Sequence, residues 1–182
     1  MGIAAALSGG IIMMMAVIVF GISLPTMVSA NEKLNRISRD EMDMHDSIEK
    51  TSIAISSIQA NLVSNTIQLT VQNTGLTKLY DYSKFTILVT YNGSSSNNIL
   101  NGNAVTQVTE QFTYAGISSN TPSNGHWVIS TFVNDAVDPQ ILNPGESMQI
   151  TCKPSEFIQQ GNIIAIVSTD NGVISTSSIG VV

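Results

Sequence analysis

The sequence predicts a mainly β protein, with an N-terminal transmembrane α-helix followed by an immunoglobulin-like β-sandwich. Three observations lead to this prediction. An uncharged apolar run occupies residues 2–28, and a charged segment with helical periodicity follows it. From residue 51 onward, apolar and polar residues alternate with a period of two. We therefore expect two parts, a helical part over residues 1–50 and a β-sandwich over residues 51–182.

The composition argues against several classes of function. Of the 182 residues, 43% are apolar and only 11% are charged, so a buried core is expected and general disorder is not. The net charge of −6 leaves no basic face for nucleic acid. The single cysteine, Cys152, excludes an intramolecular disulfide framework and a cysteine-based zinc site. We expect no cofactor, no bound metal and no enzymatic activity.

The apolar run from Gly2 to Val28 is long enough for a membrane span of about 20 residues. Pro25 is expected to bend this helix or to mark its boundary. A cleaved secretory signal is the alternative, but no basic residue precedes the apolar core. A buried helix of a soluble core is less favoured, because the run lacks a polar stripe. The side chains expected to pack in the membrane or against other helices are Ile11, Ile12, Met13, Met14, Met15, Val17, Ile18, Val19 and Phe20.

The charged segment that follows has the spacing of a helical heptad repeat. Half of all charged side chains lie between Glu32 and Lys50, a stretch that has no glycine or proline from Leu34 onward. One interpretation is a solvated helix that rests on its own β domain; the other is a helix that packs against like helices in a dimer or filament. The heptad positions, of which Glu41 interrupts the apolar seam, are Met27, Ala30, Leu34, Ile37, Glu41, Met44 and Ile48.

The remainder of the chain alternates as half-buried strands do. Turn residues separate the strands: in Asn73-Thr74-Gly75 the glycine is expected to supply a positive φ, and Asp170-Asn171-Gly172 predicts a hairpin between the last two strands. Several short strands of this kind indicate a sandwich of two sheets. The strands are expected near Ile53–Leu62, Ile67–Val71, Phe85–Tyr91, Val105–Tyr114, His126–Phe132, Glu146–Cys152, Ile163–Ser168 and Val173–Ile179.

Candidate chemistry is sparse. His45 lies among acidic residues of the charged segment, where a solvated helix face is favoured over a metal site. A hydrolase would need His126, Asp135 and Asp138 to share a cleft. Cys152 alternates with apolar residues and is expected to be a buried, unreactive thiol. Asn92-Gly93-Ser94 matches an N-glycosylation sequon, and Asn92 is expected in a loop.

With these parts in place, the chain resembles the archaeal flagellin-like (archaellin) superfamily, which shares its N-terminal helix with type IV pilins. Within it, the chain is most similar to the archaellum accessory stator proteins called FlaF or ArlF. Only Met1 precedes Gly2, whereas a class III signal peptide ends in a basic residue and a glycine; this favours an anchored accessory protein over a filament subunit. The features that carry the resemblance are Met1-Gly2-Ile3, the helix to Val28, Ser52–Ile55, Thr66–Gly75, Leu142–Glu146 and Ser168–Val173.

The resemblance implies a pilin-like membrane helix and a β-sandwich in the pseudoperiplasm that binds the S-layer and serves the archaellum motor stator. The implied partners are the S-layer protein, other archaellum components, the membrane and further copies of this chain. The alternatives are an archaellin or type IV pilin-like filament subunit and a secreted hydrolase. Contacts with partners are expected in the loops Gly93–Gly102 and Ser118–Gly125, with the aromatic residues Tyr80, Tyr82, Tyr114 and Trp127 as further candidates.

Overall fold

The computed structural model describes residues 2–95 and 105–181. They fall into two units, Met1–His45 and Asp46–Val182. Helix α1 spans Gly2–Lys50 without interruption, so of the two roles expected for Pro25, a bend or a boundary, the boundary does not occur. A proline inside a long helix removes one backbone hydrogen bond, a loss that bends a helix more readily than it ends one.

The apolar run of α1 is described only in part. Before residue 31, the described side chains are those of Gly10, Met13, Met14, Met15, Val17, Ile18 and Ser29. Those of Ile11, Ile12, Val19 and Phe20 lie outside the described residues, whereas Met13 is exposed over 74% of its surface. Among the described residues, no helix is both long enough and apolar enough to cross a membrane.

Further along α1, the heptad positions of the charged segment point into solvent. Leu34 is 63% exposed and Met44 is 60% exposed, and Ile37 is also exposed. The side chains of Met27 and Ala30 lie outside the described residues. The apolar stripe that the spacing predicts is therefore present between residues 34 and 44, with Glu41 inside it.

The second unit is mainly β and contains nine strands in its described residues. A short 3-10 helix, Tyr82–Lys84, lies between the second and third strands. The strands are β1 Ile53–Asn61, β2 Thr66–Asn73, β3 Thr86–Ser94, β4 Thr106–Ile117, β5 His126–Val133, β6 Ser147–Lys153, β7 Phe157–Ile158, β8 Gly161–Ser168 and β9 Ile174–Val181.

The strands follow the order β1-β2-β6-β5-β4-β3-β8-β9, and β7 pairs with β3. Strand β4 connects two halves of this arrangement, β1-β2-β6-β5 on one side and β3-β8-β9 on the other. Its first part pairs antiparallel with β3, and its last residues pair parallel with β5. The backbone N–H of Ile55 in β1 donates to the hydroxyl of Ser175 in β9 at 3.2 Å, so the two ends of the path lie side by side. The result is a sandwich- or barrel-like fold.

The core consists of the inward-facing residues of both halves. Leu69 pairs with Ile150 across β2 and β6, and Ile150 pairs with Ile129 across β6 and β5. All three side chains are fully buried. In the other half, Ile87 is paired with Phe112 on one side and with Val167 on the other. The alternation read in the sequence therefore corresponds to one buried and one outward face on each of these strands.

Two turns show different uses of glycine. Gly172 has a φ of +84° in the hairpin between β8 and β9, which confirms the predicted hairpin. Gly75 is not among the described glycines with a positive φ, so that part of the prediction is wrong. A Cβ atom at Gly75 would lie 2.4 Å from the backbone nitrogen of Ser52, and the residue is needed there for close approach of two backbone segments.

Candidate functional site

A cleft of about 340 Å³ lies on the outward face of β1, β2, β6 and β5. We call it the polar cleft. Its lining residues come from the four strands, from the turn after β1 and from the loop between β4 and β5. They are Gln59, Ala60, Asn61, Ser64, Thr66, Gln68, Ser119, Asn120, Thr121, Ser130 and Thr151.

The strand register determines which residues form the floor of the polar cleft. Gln59 of β1 pairs with Gln68 of β2, and Gln68 pairs with Thr151 of β6. Because side chains alternate along a strand, the residues on either side of Gln68 point into the core while Gln68 points outward. The hydroxyls of Ser130 and Thr151 share a hydrogen bond of 2.5 Å, which continues the polar row onto β5.

The loop Ser118–Gly125 forms one wall of the polar cleft, and backbone hydrogen bonds hold both of its ends. The N–H of Ser118 donates to the carbonyl of Ile129 at 3.0 Å, and the N–H of Gly125 donates to the carbonyl of Lys153 at 2.8 Å. Between these anchors, Ser119, Asn120 and Thr121 line the cleft with exposed side chains. This was one of the two loops predicted to make contacts; the other, Gly93–Gly102, falls largely on residues outside the described ones.

Uncharged hydrogen-bonding groups dominate the polar cleft. The side-chain amides of Gln59, Gln68 and Asn120 have no hydrogen-bond partner among the described residues. The carboxamide oxygen of Asn61, in contrast, accepts from the N–H groups of Val63 and Ser64, both at 3.0 Å. An amide both donates and accepts, so a row of free amides can pair with hydroxyls or with other amides. The cleft thus presents donors and acceptors together in one preformed surface.

Charge is missing from the described residues that line the polar cleft. The ammonium group of Lys153 lies beside the lining and donates to the carbonyl of Ser64 at 2.5 Å. The described lining residues therefore include no ionised side chain that could serve as a general acid or base. A neutral polar partner fits this surface better than a phosphate or another anion.

The three residues that a hydrolase would need lie far apart. His126 begins β5 and Asp135 lies two residues beyond its other end, so the length of the strand, roughly 23 Å at about 3.3 Å per residue, stands between them. The His126 ring nitrogen Nδ1 pairs with the carbonyl of Asn124 at 2.8 Å. Asp138 forms a salt bridge of 2.5 Å with Lys78 on the surface. His126 and the two aspartates therefore do not form the shared cleft that a hydrolase would need.

The loop that contains both aspartates is organised around a buried acid, Glu146. Its carboxylate accepts hydrogen bonds from the backbone N–H of Asn143 at 2.9 Å, from the side-chain amide of Asn143 at 3.0 Å and from the N–H of Ala136 at 3.3 Å. Burial raises the pKa of Glu146, but these hydrogen bonds outweigh it and leave the pKa below its usual range. Glu146 is a structural acid that closes the loop.

Most of the aromatic residues named as contact candidates belong to the core. Trp127 is fully buried, Tyr82 is buried, and Tyr114 packs on Trp127 with ring centroids 4.6 Å apart. Only Tyr80 among the four is exposed, over 68% of its surface. The buried environment predicted for Cys152 is confirmed, and burial raises the pKa of its thiol.

Asn92 lies inside β3, so its predicted location in a loop is wrong. Its amide nitrogen, the atom to which a glycan would be attached, donates to the carbonyl of Gln160 at 3.0 Å. Ser94, the third residue of the sequon, is buried. Glycosylation of Asn92 stays a prediction.

No metal site is evident in the part of the chain that the structure describes. There, no group of three or more histidine, cysteine, aspartate or glutamate side chains is arranged to hold a metal ion. Near His45, Asp46 forms an exposed salt bridge of 2.7 Å with Lys50. Pairing of this kind along a solvated helix face is what i to i+4 spacing provides.

The chain resembles solved structures of archaellum proteins. No protein-family model matches it, and no curated protein does. The complex of the archaellum periplasmic stator proteins FlaF and FlaG from Sulfolobus acidocaldarius matches with 17% identity and a TM-score of 0.48, over 70% of this chain and 87% of that chain. FlaG from the same organism matches with 15% identity and a TM-score of 0.46, over 71% of this chain and 99% of that chain.

A β-glucosidase from Kluyveromyces marxianus also matches, with 12% identity and a TM-score of 0.29, over 72% of this chain and 14% of that chain. Likenesses at these levels carry no conclusion about function, because one fold serves many functions.

The polar cleft itself was not found from the sequence. The sequence shows the polar residues of β1, β2 and β6 at alternate positions. It does not show that Gln68 pairs with Thr151, because these residues lie on strands about 80 residues apart in the chain. The one signal that pointed toward it was the Ser/Asn/Thr-rich loop Ser118–Gly125. A cleft of this kind depends on strand order, which periodicity does not reveal.

Proposed function

We propose that this chain is a membrane-anchored, non-enzymatic component of the archaellum that binds the S-layer through its β-rich unit and acts as part of the motor stator. The observation that carries the proposal is the polar cleft, a preformed, uncharged binding surface with unpaired amides in its described wall. Two solved structures with similarity to this chain are archaellum periplasmic stator proteins, and the proposal assigns the chain to the same kind of assembly.

A stator has to resist torque, so it needs attachment at two levels. The uncharged apolar run from Gly2 to Val28 would supply attachment in the bilayer. The polar cleft would supply the second attachment, since neutral amides and hydroxyls can bind the polar surface of a protein lattice with directional hydrogen bonds. The β-rich unit would then lie outside the cytoplasmic membrane, at the cell surface.

The binding part of the proposal is tested by sedimentation of the full chain with S-layer sheets isolated from its own organism. Thr121→Arg places a bulky cation in the wall of the polar cleft, and we expect binding to fall by about tenfold or more. Thr176→Arg adds the same side chain at an exposed position of β9, outside the cleft, and binding should be unchanged. Equal losses in both variants would show that the cleft is not the binding surface.

The cellular part of the proposal is tested by mass spectrometry of separated membrane, envelope and sheared-filament fractions. A stator component should be found with the membrane and envelope, with its N-terminus intact. Enrichment as the major chain of sheared filaments would instead establish the alternative function, an archaellin or type IV pilin-like subunit. A soluble extracellular fragment that lacks residues 1–30 would contradict both functions.

A further inference from the structure

The floor of the polar cleft presents two amides side by side. Gln59 and Gln68 are paired across β1 and β2, and both side chains are exposed, with amides that bond to no described residue. Each amide has two N–H donors on its nitrogen and an acceptor on its oxygen. Neighbouring hydroxyls of a sugar ring match this arrangement, because one hydroxyl can accept from the amide nitrogen while the next donates to the amide oxygen.

Two pairs of hydroxyls extend the same pattern. Oγ of Ser64 lies 2.8 Å from Oγ1 of Thr66, and Oγ of Ser130 lies 2.5 Å from Oγ1 of Thr151. In each pair one hydroxyl donates its proton to the other, and the second hydroxyl keeps a proton that no described group accepts. Each pair therefore still offers a donor and several lone pairs. A ligand covered with hydroxyls needs donors and acceptors mixed in this way.

A segment of polypeptide fits the polar cleft less well than a sugar does. Gln68 and Thr151 lie on strands that are paired on both sides, so a peptide cannot add there as a further strand. Apolar and aromatic anchors dominate the contacts between proteins, and Ala60 is the only apolar residue in the described lining. The volume of about 340 Å³ lies in the range of small-ligand sites.

We propose that the polar cleft binds a neutral saccharide, and that the chain attaches to the S-layer through sugar residues of that lattice. The second part rests on the proposed function, whereas binding of a free saccharide does not. The described lining has no aromatic ring to stack on a sugar, so we expect a dissociation constant of about 1 mM for one site. Several copies of the chain in one assembly would bind a lattice that repeats its sugars more tightly, by avidity.

The first test titrates the full chain, in a detergent without a sugar headgroup, with neutral oligosaccharides released from the S-layer of its own organism. Broadening of the saccharide NMR signals follows the binding. Gln68→Ala removes an amide from the floor and should weaken binding by about three- to tenfold. Gln111→Ala removes the same amide from an exposed position of β4 outside the cleft and should leave binding unchanged. Equal effects in the two variants, or no binding by the native chain, would overturn the proposal.

The second test separates this proposal from the proposed function. S-layer sheets are treated with mild periodate, which cleaves the vicinal diols of sugars and leaves the polypeptide chain intact; control sheets pass through the same steps without periodate. The full chain should sediment with oxidised sheets about tenfold or more weakly than with control sheets. Equal binding to both would contradict attachment through sugar and leave S-layer binding itself in place. Failure to bind the control sheets would contradict the proposed function, and the saccharide titration would then decide the chemistry of the cleft by itself.

Discussion

Apolar residues have opposite environments in the two units of this chain. Leu69 in β2 is fully buried among paired strands, whereas Leu34 in α1 is 63% exposed. The residue type is the same, so the difference lies in what the chain places around it. The strands of the second unit cover each other's apolar faces, and the described part of the helix has an apolar stripe open to solvent. A buried leucine stabilises the folded chain directly. An exposed leucine can contribute stability only when another surface covers it.

The largest effect that this comparison predicts comes from truncating the two leucines. Leu69→Ala should lower the free energy of unfolding by about 2–5 kcal/mol, because it removes buried methyl groups and leaves a cavity. Leu34→Ala should leave it within about 0.5 kcal/mol, as for other surface substitutions. Guanidinium unfolding of the full chain, followed by Trp127 fluorescence, measures both. Equal losses would mean that Leu34 is packed in solution.

A second prediction extends the comparison to polar residues. Asn73 is fully buried; its amide nitrogen donates to the carbonyls of Thr77 at 2.7 Å and of Leu142 at 2.9 Å, and its oxygen accepts from Gly75 at 3.1 Å. Asn73→Ala should cost about 1–3 kcal/mol, because it removes the hydrogen bonds that a fully buried amide makes to the carbonyls of Thr77 and Leu142. Asn162→Ala is the matched exposed change and should cost about 0.5 kcal/mol or less. The same unfolding experiment separates the two, and similar costs would contradict the role given to Asn73.

A smaller, pH-dependent effect is predicted for Glu146. Because its folded-state pKa is depressed, its ionised form contributes stability above the pKa of the unfolded chain, and this contribution is lost as the pH falls through the folded-state pKa. Glu146→Gln should therefore reduce stability near neutrality and flatten its decline in acid. Unfolding midpoints measured at a series of pH values down to the acid limb test this. An unchanged slope in Glu146→Gln would show that another acid controls the acid limb.

The sequence identified the strands better than it identified their neighbours. Alternation of apolar and polar residues located β2, β3 and β5, because the period of two follows from strand geometry. It missed β7, which has only two residues, and it ended the strand before Asn92 because Asn-Gly usually marks a turn. In this chain the pairing of Gly93 with Ile158 continues the strand past that signal.

For the candidate sites too, the sequence predicted what depends on neighbouring residues and missed what depends on distant parts of the chain. Burial of Cys152 followed from its place in an alternating strand, and this was predictable from its immediate neighbours. The separation of His126 from Asp135 was not predictable, since nine residues can form either a compact loop or an extended strand. Exposure of an aromatic side chain was equally undecided, and three of the four candidates proved wholly or partly buried.

The sequence by itself determined the long helix, the heptad stripe on its charged segment and the change to a β-rich unit, because each depends on periodicity within a short stretch of chain. Only the tertiary structure decided the strand order, the two different partners of β4 and the polar cleft. These features arise where strands distant in the chain are paired. The free energy that selects such pairs comes from burial of the whole core, and no local pattern contains it.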